Sequence, residues 1–351
     1  MKRLVLEKEA IKKNLAVIKD RAGSAAIYAV LTGDGFGAGL LPMARLLREE
    51  GIVRYAVSEV EEAELLRKNG FEQEEILMLR STAEHEVLER LMDLNVICTI
   101  GSYEAGMALN GIAEGRATVV EAHIQVDTGM GFGGFLVSEP EQVLSAYRYL
   151  PNVALSGIHT QIHSGSQKEA EDQIAQLQEM LEKIHAAGFE TGIVHAAGSQ
   201  ALMRYDFTHL DAVRVGSAIL GRSGNDRRLT RVGYGEAALE ELRWLPKGHT
   251  VHNDQCITLS RATRVATLPV GYQNGFGVRV EREAGVWAAL KRWWRGRRTY
   301  VRLGAQRVPV LGKVGAFETL LDVTDVKCAA GDVAAFELDP LFARGMKKEF
   351  R

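Results

Sequence analysis

AIYAVLTGDGFGAGLLPMARLLREEG, residues 26–51, sets a short apolar strand, a loop with four glycines and an amphipathic helix end to end. AIYAVL (26–31) has the β-branched and aromatic make-up of a buried strand. LLPMARLLREEG (40–51) carries its apolar residues at helical spacing and closes on Gly51, a residue suited to stopping a helix. A strand that feeds a helix in this way is one half of a parallel crossover unit. The loop between them invites a small ligand, yet the strand ends on Thr32, whose hydroxyl carries no charge.

The same beat continues outward from this stretch. Further short β-rich runs are RYAVSE (54–59), EILMLR (75–80), NVICTI (95–100), EAHIQV (121–126), LSGIHTQI (155–162), GIVHAAG (192–198) and AVRVGS (212–217). Helix-like segments such as EVEEAELLRKNG (59–70) and KEAEDQIAQLQEMLEKIHAAG (168–188) lie between them. Eight strand-plus-helix units in series predict an α/β fold, a closed parallel (β/α)8 barrel of the TIM type, over an open sheet.

After about residue 225 the rhythm changes. ATRVATLPVGY, RTYVRLG, QRVPVLGKVGAFETLLDVTDV and GDVAAFEL are strands separated by turn signals, which reads as a mainly antiparallel β domain. The boundary falls at residues 1–228 for the barrel domain and 229–351 for the C-terminal β domain. Within the latter, VWAALKRWWRGRR (286–298) reads as an amphipathic surface insert that buries Trp287, Trp293 and Trp294.

Composition narrows the function. With 351 residues and 46% hydrophobic content the chain fills proper cores. Its 43 basic and 45 acidic residues are well mixed, so no global field exists to hold nucleic acid or an anionic membrane, and a small-molecule ligand is expected. MKRLVLEKEA has no signal-peptide character and no segment approaches the roughly 20 apolar residues that span a bilayer, so the reading is cytoplasmic. Cys98, Cys256 and Cys328 are far apart and in no CxxC pairing, which suits free thiols.

In a parallel barrel, chemistry sits where the strands end at their carboxyl side. That rule selects Thr32 to Phe36, Asp127 to Gly134, Gln161 to Ser164, His195 to Ser199 and Arg214 to Ser217. Glycines and small hydroxyl residues after the last two strands, Ser199, Gly216 and Ser217, suit a phosphate group, because backbone N–H groups approach it closely there.

These segments resemble the alanine racemases, barrel-plus-β-domain amino-acid racemases of fold type III that use pyridoxal phosphate. AVLTGDGFGAGL (29–40) stands where they carry AVxKAxAYGHG, and VDTGMGFGG (126–134) where they carry IDTGMGRxG. HAAGS (195–199), AVRVGSAILG (212–221), LPVGYQNGF (268–276), LLDVTDV (320–326) and MKKEF (346–350) match HxANS, VRxGxxLYG, IPxGYxDGY, DVTD and RxPRxY in the same order.

The resemblance implies a lysine bonded to the cofactor aldehyde and a tyrosine from the partner subunit, working on opposite faces of the substrate. It puts Thr32 at the lysine position and, in VHNDQ, Asn253 at the tyrosine position. Two phosphate-binding tyrosines correspond to Phe36 and Phe350. On the substrate side the resemblance puts Phe132 for an arginine, Gln125 for a lysine, Gln161 for a histidine and Ala316 for a methionine. His195, Ser199, Arg214, Gly216 and Ser217 remain around ring and phosphate.

Such a chain reads as a pseudoenzyme or ligand-binding protein of an isomerase family, with pyridoxal phosphate weak and noncovalent or absent. The alternatives are a repurposed pyridoxal-phosphate enzyme of amino-acid metabolism, drawing on His159, His163, His195, Asp127 or Cys256, and a racemase with unusual catalytic residues. GIHTQIHSG (157–165) places His159 and His163 on one strand face, but no ligand motif of specific spacing is present and no metal is assigned. Lys313, in LGKVG, reads as structural. The resemblance also implies a head-to-tail homodimer.

Overall fold

A computed structural model describes residues 1–163, 165–223, 226–252, 256–278 and 299–351. The expectations that rest on Asn253, on the side chain of Cys256 and on the stretch 286–298 lie outside the described residues.

Residues Glu9–Arg231 form one compact unit. Its parallel strands are β1 (Ala26–Val30), β2 (Arg54–Val57), β3 (Glu75–Met78), β4 (Cys98–Ile100), β5 (Val120–Asp127), β6 (Val153–His159), β7 (Ile193–Gly198) and β8 (Ala212–Val215). They pair in the order β3-β2-β1-β8-β7-β6-β5-β4. The two ends of this ladder meet through a parallel bridge, Leu77 to Ile97, with Met78 N donating to Ile97 O and Ile97 N to Ile76 O at 2.9 Å each. The eight runs read from the sequence are these eight strands, wound as the expected (β/α)8 barrel.

The helices follow from the apolar spacing. Leu40–Glu49 buries Leu40, Met43, Ala44 and Leu47, one stripe of a 3.6-residue period. Gln167–Ala186 starts at Ser166, whose Oγ accepts from Glu169 N at 3.2 Å while the Glu169 carboxylate accepts from Ser166 N at 3.0 Å. That helix buries Ala170, Ile174, Leu177 and Ile184. Inside the barrel Tyr28, Ala56, Leu77, Ile97 and Ala212 pack as an apolar cluster. Among the described residues no helix is long and apolar enough to cross a membrane.

The second unit is Met1–Lys8 with Val232–Arg351. Its larger sheet runs Gln306–Pro309, Tyr300–Leu303, Val333–Glu337, Tyr234–Ala238, Lys2–Leu6, Lys347–Phe350. A three-stranded sheet joins Leu242–Leu245, Thr263–Leu268 and Thr319–Asp322. The pairings are antiparallel except for Lys2–Leu6 beside Lys347–Phe350. The first eight residues, placed by the sequence with the barrel, are therefore built into the β unit, because KRLVL pairs on both edges with strands from the far end of the chain.

Glu236 clamps this join of the termini. Its carboxylate accepts from Arg3 Nε at 2.7 Å and from Arg351 Nη2 at 2.8 Å, and the residue is 9% exposed. Arg351, and secondarily Arg3, hold the Glu236 carboxyl below its ordinary value of 4.5 against the opposing effect of burial. A depressed carboxyl stabilises the fold above its unfolded pKa, and that contribution fades as pH falls through the folded value. Glu236→Gln is expected to lower unfolding free energy at pH 7 by about 1–2 kcal/mol, since charged hydrogen bonds are lost from partly exposed arginines. In urea titrations the gap between variant and parent should close below about pH 4.

Candidate ligand site at the barrel mouth

At the carboxyl end of β1 the chain makes a left-handed turn. Gly33, Asp34, Gly35 and Phe36 have φ of 67°, 57°, 64° and 54°. For residues with a Cβ this costs about 1–2 kcal/mol each, so something must hold Asp34 and Phe36 there. Two carboxylates do. Asp34 Oδ1 accepts from Leu40 N at 2.7 Å, and Glu62 Oε1 accepts from Gly33 N at 2.7 Å and Asp34 N at 3.2 Å. The other oxygen of Glu62 takes Ser58 N at 3.2 Å, which ties the ends of β1 and β2 together. Thr32 Oγ1 and Ser58 Oγ, 2.9 Å apart, form a hydroxyl pair at the same rim.

The turn throws the Phe36 ring onto Gly216. A Cβ added at residue 216 would lie 2.1 Å from Phe36 Cε2, so only glycine admits the ring. Ser199 completes this corner by accepting from Gly216 N at 3.0 Å and Ala218 N at 3.2 Å. Because Ser199 Oγ accepts twice, its own hydrogen remains available as a donor. The structure thus brings Phe36, Ser199 and Gly216 into one corner, with Ser217 next in the chain.

Beneath the rim lies a polar layer. Arg214 on β8 is 5% exposed and donates to His195 Nδ1 (2.6 Å), His195 O (3.1 Å), Thr160 O (2.6 Å) and Gln161 Oε1 (2.8 Å). A guanidinium only donates, so His195 Nδ1 is the acceptor and the proton of that ring sits on Nε2. His195 Nε2 then donates to His123 Nδ1 at 2.9 Å. Thr99 gives its hydroxyl proton to Met78 O at 2.6 Å, which leaves its oxygen to accept from His159 Nε2 at 3.4 Å. The rings stack as a group: His159 on His195 at 4.9 Å and 22°, Tyr28 on the other side at 5.6 Å and 24°.

This layer is electrostatically consistent. Burial, and then the charge of Arg214, pushes the His123 imidazole down to about 4 and holds His159 and His195 well below 6.5. Burial lowers Arg214 itself to about 10, which leaves it a cation at neutral pH. His195 was expected beside ring and phosphate. The structure places it wholly buried, with its Nδ1 accepting from Arg214.

The remaining expected residues make the following contacts. Gln125 donates to the carbonyls of Phe132 and Gly133 at 3.3 and 3.2 Å, while the Phe132 ring is 76% exposed. Asp127 accepts from Gly129, Met130 and Gly131 N at 2.8–3.1 Å, so this carboxylate shapes its own loop. The pairing of His159 with His163 does not occur, because β6 ends at His159. His163 turns outward to Glu169 at 3.5 Å. No metal-holding group is formed among the described residues. Ala316 and Phe350 belong to the other unit, where Ala316 O accepts from Gln273 N at 3.1 Å and Phe350 pairs with Leu6.

Amines are placed elsewhere. The lysines of the Glu9–Arg231 unit, Lys12, Lys13, Lys19, Lys68, Lys168 and Lys183, all lie on helices and none on a barrel strand.

Comparison with known proteins settles the family. Residues 6–224 match the alanine racemase N-terminal domain and residues 234–339 the alanine racemase C-terminal domain. The chain belongs to the alanine racemase family. It is 29% identical over 294 residues to an alanine racemase of Carboxydothermus hydrogenoformans, covering 81% of this chain and 79% of that one. The fold is shared with alanine racemase from D-cycloserine-producing Streptomyces lavendulae, at a TM-score of 0.85 and 18% identity over 100% and 97% of the two chains. It is shared also with a Bartonella henselae alanine racemase solved with covalently bound pyridoxal phosphate, at 0.83 and 19% over 100% and 99%.

Sequence reasoning missed Tyr28, Ser58, Glu62, Thr99 and His123. The alternation in EAHIQV contained a usable signal, since it puts His123 and Gln125 on one face of β5. The neutral histidines also make this racemase-family barrel acid-sensitive. Folded imidazoles held below 6.5 stay uncharged while the unfolded chain takes up protons, so stability falls as pH drops from about 6.5 toward 4. Each histidine contributes a slope of about 1.4 kcal/mol per pH unit in that window. Urea unfolding at pH 7, 6 and 5 should show more than one proton taken up on unfolding, and a flat profile would contradict neutral histidines.

Proposed function

We propose that this chain is a racemase-family protein that holds a small molecule at the barrel mouth and does not racemise amino acids through a lysine. In this reading Thr32 stands where the family carries its lysine and Asn253 where it carries its tyrosine. The observation that carries it is the placement of amines: every lysine of the barrel unit is on a helix, and the strand end offers the hydroxyls of Thr32 and Ser58, 2.9 Å apart. A hydroxyl has no nitrogen with which to bond an aldehyde covalently and does not take up a proton near neutral pH. For covalently held pyridoxal phosphate, whose aldehyde would otherwise act as an electron sink, these residues do not fit.

A second reading, noncovalent pyridoxal phosphate, is favoured by one feature, the Ser199 hydroxyl, which accepts from Gly216 N and Ala218 N and so keeps its hydrogen for donation, with Ser217 next in the chain. Phe36 offers that corner a ring without a phenolic donor, and Phe350 lacks one as well. A hydrogen bond to a charged acceptor contributes roughly 1.5–3 kcal/mol, so the missing donors make binding weak and reversible. Family membership supports a homodimer, head to tail, as the working assembly.

Borohydride treatment of the purified protein with added pyridoxal phosphate, followed by peptide mapping, should leave no lysine adduct at stoichiometric level. Incubation with L-alanine should yield no D-alanine by chiral chromatography. A stoichiometric adduct on any one lysine, Lys313 included, would sink this reading. Thr32→Lys with Asn253→Tyr should restore covalent capture but little racemisation, since a constellation about 1 Å out of place loses around a hundredfold in rate.

A further inference from the structure

Chemistry fixes the orientation of the Gln161 side chain. Arg214 Nη2 can only donate, so the Gln161 atom 2.8 Å from it is the carbonyl oxygen, Oε1. The amide nitrogen therefore faces away from the arginine, and Gly198 leaves room for it: a Cβ at residue 198 would lie 2.8 Å from Gln161 Nε2. Among the described residues nothing accepts a hydrogen bond from that nitrogen. Gln161 is exposed, so the nitrogen stands at the rim with its donors available.

Arg214 is unusual for a second reason. It is 5% exposed, yet its described partners are three backbone carbonyls, the Gln161 amide and the His195 ring. None of them is a carboxylate. Glu75, which reaches the layer through Tyr28, is itself paired with Arg54 at 3.0 Å. Carbonyl dipoles solvate a cation without neutralising it, and buried charges in proteins are otherwise paired. A neutral histidine stack adds no negative charge.

We propose that the Gln161–Arg214 pair binds a small oxyanion, a carboxylate or phosphate group, with Gln161 Nε2 donating to it and Arg214 providing the compensating charge behind. This rests on the barrel mouth being the small-molecule site proposed above. Gln161 is then the residue that sets the sign of the ligand. A carboxylate in its place would pair with Arg214 internally and repel the same oxyanion.

The test uses the full-length protein near pH 7.5 at matched ionic strength, with sodium acetate and sodium phosphate as probes and sodium chloride as control, read by thermal unfolding and titration calorimetry. Acetate, phosphate or both should raise the unfolding temperature and bind saturably, with no comparable effect of chloride. A response to both marks a general oxyanion site, and a response to one alone identifies which group the site takes. In Gln161→Glu the unliganded protein should melt higher and affinity should fall by at least about tenfold, the equivalent of one hydrogen bond to a charged partner. Gln161→Leu, which keeps the charge and removes the donor, should lose about as much and serves if the glutamate variant fails to fold. The proposal is overturned if neither oxyanion exceeds chloride, or if the folded variants bind as the parent does. The borohydride experiment reads separately: no anion binding together with no lysine adduct removes this inference alone, whereas anion binding together with an adduct removes the amine-free reading alone.

Discussion

The structure of the barrel interior depends on one buried cation. Arg214 reaches from β8 across to β6 and β7, and its donors decide the states of the groups around it. His195 must offer a bare Nδ1, so its proton is on the far nitrogen and His123 must accept there. The carbonyls of His195 and Thr160 and the amide of Gln161 are drawn in by the same guanidinium, which pins the start of the loop after β6. Gln173, from the helix outside, holds that loop from the other side by donating to Gln161 O at 3.3 Å and Thr128 Oγ1 at 3.2 Å and accepting from His163 N at 2.8 Å. The layer is therefore a set of mutually required protonation states and not a collection of separate polar residues.

Around the mouth a different device sets loop shape. The glycine-rich turns after β1 and β5 each contain or receive a carboxylate that collects backbone N–H groups: Asp34 and Glu62 for the first, Asp127 for the second. Such internal anions allow left-handed backbone at Asp34 and Phe36 without help from a ligand. A site whose loops are already held loses less conformational entropy on binding. Acidic residues that looked available for chemistry in the sequence are thereby committed to geometry, and Asp127 is the clearest case.

Much of this was legible in the chain, and the reasons differ by element. The eight barrel strands announce themselves because each is a short apolar run followed by a helical period, and local pattern is sufficient for that. The Lys2–Leu6 strand has no such local partner; its neighbours are Tyr234–Ala238 and Lys347–Phe350, a pairing that periodicity cannot reveal. At the site, the strand-end rule found Thr32, Phe36, Ser199, Arg214, Gly216 and Gln161 because it asks only where strands stop. It overlooked His123, which is mid-strand; the strand-face reading misjudged His163, because whether a strand runs on past His159 depends on tertiary hydrogen bonds. The match to the family covers both units and says what the fold is, while the direction of each side chain came only from the coordinates.

The separation between layer and rim explains how such a fold persists when rim residues change. Burial and hydrogen bonding are concentrated in Tyr28, His123, His159, His195 and Arg214, each at most 5% exposed. Thr32, Phe132 and Gln161 sit above them with a few contacts apiece: one hydroxyl, none among the described hydrogen bonds of the side chain, and one guanidinium, respectively. Exchanging Thr32 or Phe132 leaves the core packing untouched and falls among substitutions of small stability effect, whereas exchanging Arg214 would strand His195, His123 and three backbone carbonyls at once. The scaffold's stability and the chemistry of its mouth are thus only loosely coupled, and among the described residues the amide of Gln161 links the two, since its oxygen is bonded to the layer while its nitrogen is not.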